Sequence, residues 1–183
     1  MENSDKLTEY SIPQLLRLRF AYSGNKVALR EKDFGIWNTY TWSSYYSHVR
    51  KTALGMRQIG IKKGDIVAII SDNIPELLFT AIGCHALGAI SAGIYQTTMP
   101  DEIAQIINSL KITAVFCDNQ EQVDKLVDVR EKIPKVKKII YEDPRGMRSY
   151  KSDPWFISIK DIYQFVLCKS KSILKEITLI WKE

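Results

Sequence analysis

A chain of 183 residues, 45% of them hydrophobic, is long enough to bury one core of its own and short for two domains. Its 26 Lys and Arg against 21 Asp and Glu give a net charge of +5, but the charges are interspersed; that excludes the basic block of a nucleic-acid footprint and leaves contact with anionic ligands or a membrane surface open. Cys84, Cys117 and Cys168 are too few and too widely spaced for a disulfide framework, and no apolar run approaches the ~20 residues of a membrane span.

The opening residues, Met1 to Asp5, lack the basic region and apolar stretch of a secretory leader, and with reduced core thiols this predicts a cytoplasmic protein. Ser11 and Pro13 open a predicted helix whose Ile12, Leu15, Leu16 and Phe20 recur at helical spacing, with Arg17 and Arg19 on the wet side and Ser23-Gly24-Asn25 as its stop. Val27-Ala28-Leu29 reads as a short strand. After a turn at residues 32–35, the aromatic and β-branched run 36–42 makes the second arm of an antiparallel hairpin that lids the core. Ser43 or Ser44 is the expected cap of a helix through Gln58, ended by Gly60.

The next stretch organises the rest. Ile66-Val67-Ala68-Ile69-Ile70 is continuously apolar, as a parallel strand covered on both faces must be. Asn73 as cap, Pro75 and Glu76 then start a helix that is apolar almost all round from 77 to 87, so it has to be buried on several sides. Gly88 ends it, residues 89–95 return as a strand, and Thr98 is the expected cap of a helix running to Leu110 before the strand 114–117. An amphipathic helix over 121–133, a fourth parallel strand over 136–141, turn chemistry over 143–154 and a last helix capped by Ser158 complete the pattern. The prediction is an α/β fold, mostly a parallel sheet with helices on both faces, plus an N-terminal antiparallel hairpin. Residues 168–183 differ: they are rich in Lys and Ser, then carry Ile173, Leu174, Ile177, Ile180 and Trp181 at spacings that suit helix or strand.

Few residues read as chemistry. Gly83 and Gly88 have the spacing of a phosphate-cradling loop, but Ala89 and Ile90 stand where Lys and a hydroxyl belong, and Ser71-Asp72-Asn73 after the central strand is no glycine fingerprint. Cys84 and His85 are adjacent on a helix and point ~100° apart, so they read as packed thiol and satisfied imidazole; His48 and His85 make no metal set. Asp72 with Glu76, and Asp101 with Glu102, are explained by caps and helix dipoles. The polar run to watch is Tyr95-Gln96-Thr97-Thr98, just past a parallel strand's carboxyl end, where open α/β sheets place ligands; Tyr95, Gln96 and Thr97 are the candidate wall of a substrate site, and no catalytic, cofactor-binding or metal-binding residue is assigned.

Five segments in order then carry a resemblance: Gly35-Ile36-Trp37 with Tyr40-Thr41-Trp42-Ser43; residues 60–69; Ser71-Asp72-Asn73-Ile74-Pro75-Glu76; Gly88-Ala89-Ile90 with Gly93-Ile94-Tyr95-Gln96-Thr97; and residues 143–148. Over about 27–163 the chain resembles the start of the adenylate-forming, AMP-binding enzymes, in particular the bacterial branch of the long-chain fatty-acid–CoA ligases. The resemblance implies a two-step reaction in the parent enzyme: a fatty-acid carboxylate attacks Mg-ATP to give acyl-adenylate and pyrophosphate, and coenzyme A then displaces AMP. It also implies that the phosphate loop, the ribose-binding Asp, the metal-binding Glu and the catalytic Lys lie outside this chain. The expectation is therefore a first α/β subdomain over 1–165, without activity or bound cofactor of its own, followed by a divergent tail over 166–183 of truncated or frame-shifted origin. Its partners are the rest of the ligase, with fatty acid, ATP and coenzyme A, and self-association through uncovered apolar surface. The alternatives are a non-enzymatic binding or oligomerising module, and a piece of a ligase for another carboxylic acid.

Overall fold

The computed structural model describes residues 9–168. Its elements are α1 (Ile12–Ser23), β1 (Val27–Asp33), β2 (Ile36–Thr41), α2 (Trp42–Gln58), β3 (Ile66–Ile70), α3 (Pro75–Ala86), β4 (Ile90–Gly93), α4 (Pro100–Leu110), β5 (Ala114–Cys117), α5 (Gln120–Asp128), β6 (Lys138–Tyr141), β7 (Phe156–Ser158) and α6 (Ile159–Cys168). Of the tail expected over 166–183, residues 166–168 belong to the last turn of α6 and residues 169–183 lie outside the described residues.

The continuously apolar strand is central, as its composition requires. β3 pairs in parallel with β4 on one side and β5 on the other, so that Ala68 stands opposite both Ala92 and Val115. Successive side chains leave opposite faces of the sheet. Val67 and Ile69 join Val49, Ala53 and Phe79 in a core under α2, α3 and α6, whereas Ala68 and Ile70 join Ile103, Ile107 and Val123 in a second core under α4 and α5. Each of the Val, Ile and Phe side chains among them, fully buried, contributes roughly 1.5–3 kcal/mol, and a polar residue anywhere in this run would be stranded in one core or the other. The sheet order is β4-β3-β5-β6-β7, all parallel, with the β1–β2 hairpin a separate two-stranded sheet.

Several boundaries differ from expectation for identifiable reasons. Thr41, not Ser43 or Ser44, caps α2 by accepting from Ser44 N at 3.2 Å, because β2 still pairs at Thr41 and the helix starts as soon as the ladder ends. Ile74 and Met99 occupy the cap positions of α3 and α4 instead of Asn73 and Thr98; in each case Pro at the first helical position sets the start, and Glu102 reaches back to Met99 N at 3.4 Å. The helix expected over 121–133 breaks after Asp128 into a 3-10 turn at Arg130–Lys132. A fifth parallel strand, β7, was not expected from three residues. Trp155 pins it: its carbonyl accepts from Ile139 N at 2.8 Å, its indole N–H donates to the Val136 carbonyl at 2.8 Å, and Arg130 lies 4.4 Å over its ring. Ile12 and Phe20 of α1 are exposed, Phe20 stacking flat on Tyr46 with ring centroids 4.5 Å apart.

α6 crosses α2 at its closest approach over Gly55. A Cβ there would lie 2.0 Å from Ile162 Cγ2 and 2.7 Å from the Ile162 carbonyl oxygen, neither of which can yield without moving the helix. At Gly83, where α3 meets α2, the nearest contact is Thr52 Cγ2 at 3.1 Å. Alanine gains ~1 kcal/mol of helix propensity at either site. Gly55→Ala therefore loses about 1–3 kcal/mol net from overpacking, while Gly83→Ala stays within ~1 kcal/mol of the parent; urea unfolding of the two variants checks the contrast.

Candidate functional site

All five parallel strands deliver their carboxyl ends to one edge, and there the chain reverses its direction of travel. After β3 it moves outward to β4, then crosses back to β5, so the loops that follow β3 and β5 diverge and leave a crevice between them.

Asp118, the residue after β5, ties these loops together. It is 6% exposed, and its Oδ2 accepts from Asp72 N at 2.8 Å and from Gln96 Nε2 at 2.6 Å, joining the ends of β3, β4 and β5. Oδ1 is buried without a hydrogen-bond partner. Burial pushes the Asp118 carboxyl upward, with the Asp72 N–H pulling the other way. Lys125 of α5 completes the junction by donating to the Gln96 carbonyl, to Gln122 Oε1 at 3.1 Å, and pairing with Glu121 at 3.3 Å.

Two clefts open on either side of this junction, and Asp72 lines both. The first, of about 630 Å³, has an apolar wall of Ile69, Leu77, Ala81 and Ile94 and a polar rim of Ser71, Ser91, Gln96 and Thr97. Tyr95, Gln96 and Thr97, the three residues expected to form a wall, all lie on it; Tyr95 is 85% exposed and Gln96 is half-buried in its bond to Asp118. An apolar floor with a few hydrogen-bonding groups at its mouth is the usual build of a small-molecule cleft.

The second cleft, of about 510 Å³, lies between the hairpin, α3 and the loop after β6, and is acidic. Seven carboxylates line it against Arg145 and Lys160 alone, and those two are engaged, Arg145 with Asp143 at 2.7 Å and Lys160 with Glu142 at 3.9 Å. Glu76 feels this most: burial first, then Glu142 and Glu31, raise it from 4.5 to about 7. Burial, then Glu76 and Glu31, raise the Tyr40 phenol to about 12, and burial raises Glu142. A polyphosphate finds no seat among such charges. Among the described residues, no three His, Cys, Asp or Glu side chains are grouped to hold a metal ion.

The remaining candidates resolve into structural roles. Cys84 and Cys117 are buried and free, with burial pushing both thiols up, Cys84 to about 12. His48 donates from Nδ1 to the Ser44 carbonyl at 2.9 Å and stacks on Phe79 at 4.8 Å, and burial lowers its pKa; His85 is exposed and meets Ser91 Oγ at 3.0 Å. Asp101 pairs with Lys132 at 2.5 Å rather than with Glu102. Gly83 is a helix contact and Gly88 a helix end at φ +69°. Sequence reasoning missed Asp118 and the acidic cleft, whose members lie up to 129 positions apart (Glu31 to Lys160) and share no local pattern; the one available signal was the position of Asp118 directly after a buried strand.

The sequence profile of the AMP-binding enzymes matches residues 17–161. A long-chain-fatty-acid–CoA ligase of Rattus norvegicus is 30% identical over 136 residues, 74% of this chain and 19% of the rat protein. The Homo sapiens counterpart is 32% identical over 122 residues, 66% of this chain and 17% of its own. This chain thus spans about a fifth of the length of the curated relatives it matches. Among solved structures, coronafacic acid ligase from Pectobacterium brasiliense superposes with a TM-score of 0.73 at 17% identity, over 83% of this chain and 29% of that one, a likeness of fold.

The raised Glu76 carboxyl makes stability pH-dependent with a definite sign. The folded chain holds a proton on Glu76 up to about pH 7 whereas the unfolded chain releases it near 4.5, so stability is lost as pH rises through that window. Glu76→Gln removes the charge: its gain in unfolding free energy, read from urea titration, should be negligible at pH 4.5 and amount to about 1–2 kcal/mol at pH 8, short of the ~3.4 kcal/mol that the whole displacement from 4.5 to about 7 would carry at ~1.4 kcal/mol per tenfold change, because solvent still reaches the carboxylate.

Proposed function

We propose, for a chain that belongs to the AMP-binding enzyme family, that it supplies the first α/β subdomain of an ATP-dependent long-chain fatty-acid–CoA ligase. The observation that carries this reading is the 30% identity to long-chain ligases along 136 residues, a span that holds most of the fold and the junction at its carboxyl edge. The chain's own contribution is a scaffold and a wall. The Asp118 junction fixes the loops after β3, β4 and β5, and the apolar side of the 630 Å³ cleft, with Tyr95, Gln96 and Thr97 at its rim, borders the fatty-acid site. The acidity of the neighbouring cleft argues that ATP phosphates and their metal are held by residues elsewhere in the ligase, so no step of adenylation is assigned to a side chain here.

Incubated with Mg-ATP, a long-chain fatty acid and coenzyme A, the 183-residue chain alone should release no pyrophosphate. Pyrophosphate from the chain by itself would overturn this division of labour. DNA adjoining the coding sequence that encodes no Ser/Thr/Gly-rich loop ending in Lys would overturn the assignment to a ligase.

A second reading, an oligomerising module, is favoured by one feature. β4 is an edge strand with its outer backbone unpaired, Ile90 is 52% exposed, and Leu77, Leu78, Ala81 and Ile82 of the helix beside it are only half-buried. Such an edge is a template for pairing. The isolated chain should therefore self-associate in light scattering, and Ile90→Lys should shift it toward monomer; a parent chain that stays monomeric at high concentration removes this reading.

A further inference from the structure

The acidic cleft between the hairpin, α3 and the loop after β6 holds more charge of one sign than its own cations offset. Alternation along β1 brings Glu31 and Asp33 to one wall, the loop after β6 brings Glu142 and Asp143 to another, and Asp72, Glu76 and Asp118 complete the seven. Against them stand Arg145 and Lys160, so seven negative groups face two positive ones, an excess of five. The chain as a whole is basic, at +5, and this local excess is therefore a product of folding.

Carboxylates at a surface are well served by water and salt, but Asp118 is not at the surface. It is 6% exposed, it lines this cleft and not the 630 Å³ one, and its Oδ1 is buried without a hydrogen-bond partner. A carboxylate oxygen so placed calls for a donor that none of the described residues supplies. The lining also carries apolar surface: Phe34, 83% exposed at the hairpin tip, and Tyr40, Ile74 and Pro144 lie among the acids. Aromatic faces set among carboxylates suit a cation that carries hydrocarbon. A metal ion is a poorer match, since it needs several oxygens roughly 2.3–2.6 Å from one point, and among the described residues no three ligating side chains are so grouped. One guanidinium or ammonium would offset a single charge of the excess, whereas several on one flexible stem would offset most of it.

We propose that this cleft binds a linear polyamine, an alkyl chain carrying several protonated amines. Its ammonium groups donate to Glu31 and Asp33 on one wall and to Glu142 and Asp143 on the other, a terminal ammonium supplies the donor that Asp118 lacks, and its methylenes lie along Phe34 and Tyr40.

Calorimetric titration of the triamine spermidine into the 183-residue chain tests this. Binding should saturate at one equivalent and be about tenfold tighter than that of the diamine putrescine. A chain of net positive charge has no general attraction for a polycation, so saturable binding reports the cleft. Equimolar magnesium should displace little of it. Glu31→Gln with Glu142→Gln should weaken binding about tenfold and Phe34→Ser about threefold, with far-UV circular dichroism unchanged, whereas Glu131→Gln, an exposed carboxylate outside the cleft, should leave it intact. No saturable binding, displacement by equimolar magnesium, or cleft variants that bind like the parent would overturn the proposal, and the first two outcomes need no variant to fold. Tighter binding of acetylated trilysine amide, which matches spermidine in charge, would overturn it as well and assign the cleft to a basic segment of a protein.

Discussion

Burial of β3 on both faces is the constraint from which the rest of the molecule follows. Five apolar residues in a row cannot face water on either side, so the chain must supply a layer of helices above and below and a strand on each flank. β4 and β5 provide the flanks; α2, α3 and α6 provide one layer, α4 and α5 the other. The same alternation continues outward, Ala114 and Phe116 of β5 entering one core and Val115 and Cys117 the other. Once this sandwich is fixed, every loop that leaves a strand at its carboxyl end is brought to one edge, and the candidate site is a consequence of that delivery rather than a separate construction.

How much of this was legible follows from the range of the interactions involved. The central run, the α/β class and the hairpin are set by local composition and periodicity, so they could be read directly. Cap positions could not, because they depend on where a neighbouring element ends: Trp42 begins a helix only because Thr41 still pairs with Val27. β7 was invisible for a related reason, since Phe156-Ile157-Ser158 becomes a strand only against β6, with Trp155 anchored to residues 16 to 19 positions earlier. At the candidate site, Tyr95, Gln96 and Thr97 could be picked out by their position after a parallel strand, but the group that holds them could not. The bond from Gln96 to Asp118 spans 22 positions and that from Asp72 spans 46, and nothing local marks Asp118 as their common acceptor.

Charge gives a second instance of totals concealing arrangement. Interspersed signs along the chain suggested an evenly solvated surface, yet folding gathers seven carboxylates into one cleft and turns Arg30 and Lys32 outward with Trp37. A strand alternates faces with every residue, so the sequence Arg30-Glu31-Lys32-Asp33, neutral as a segment, becomes a ribbon with one basic and one acidic side. The acidic side then works against itself. Glu76 is held partly protonated near neutral pH because it is largely shielded from water and its neighbours are also carboxylates, a local cost in stability.

The two flanks of the sheet are unequally finished, and this bears on what the chain is for. β5 and β6 are buried almost completely, and the outer strand β7 is roofed by α6 and sealed by Trp155. On the other flank β4 has exposed Ile90 and Gly93, and α3, apolar almost all round, keeps Leu77, Leu78, Ala81 and Ile82 only half-covered. A helix of that composition is stable in water only if a further layer meets it. The open flank is also the one that borders the 630 Å³ cleft, so whatever covers β4 and α3 would close that cleft at the same time. A single further layer over this flank would therefore complete the core and the cleft together, and the stability of α3 and the shape of the cleft would depend on one interface.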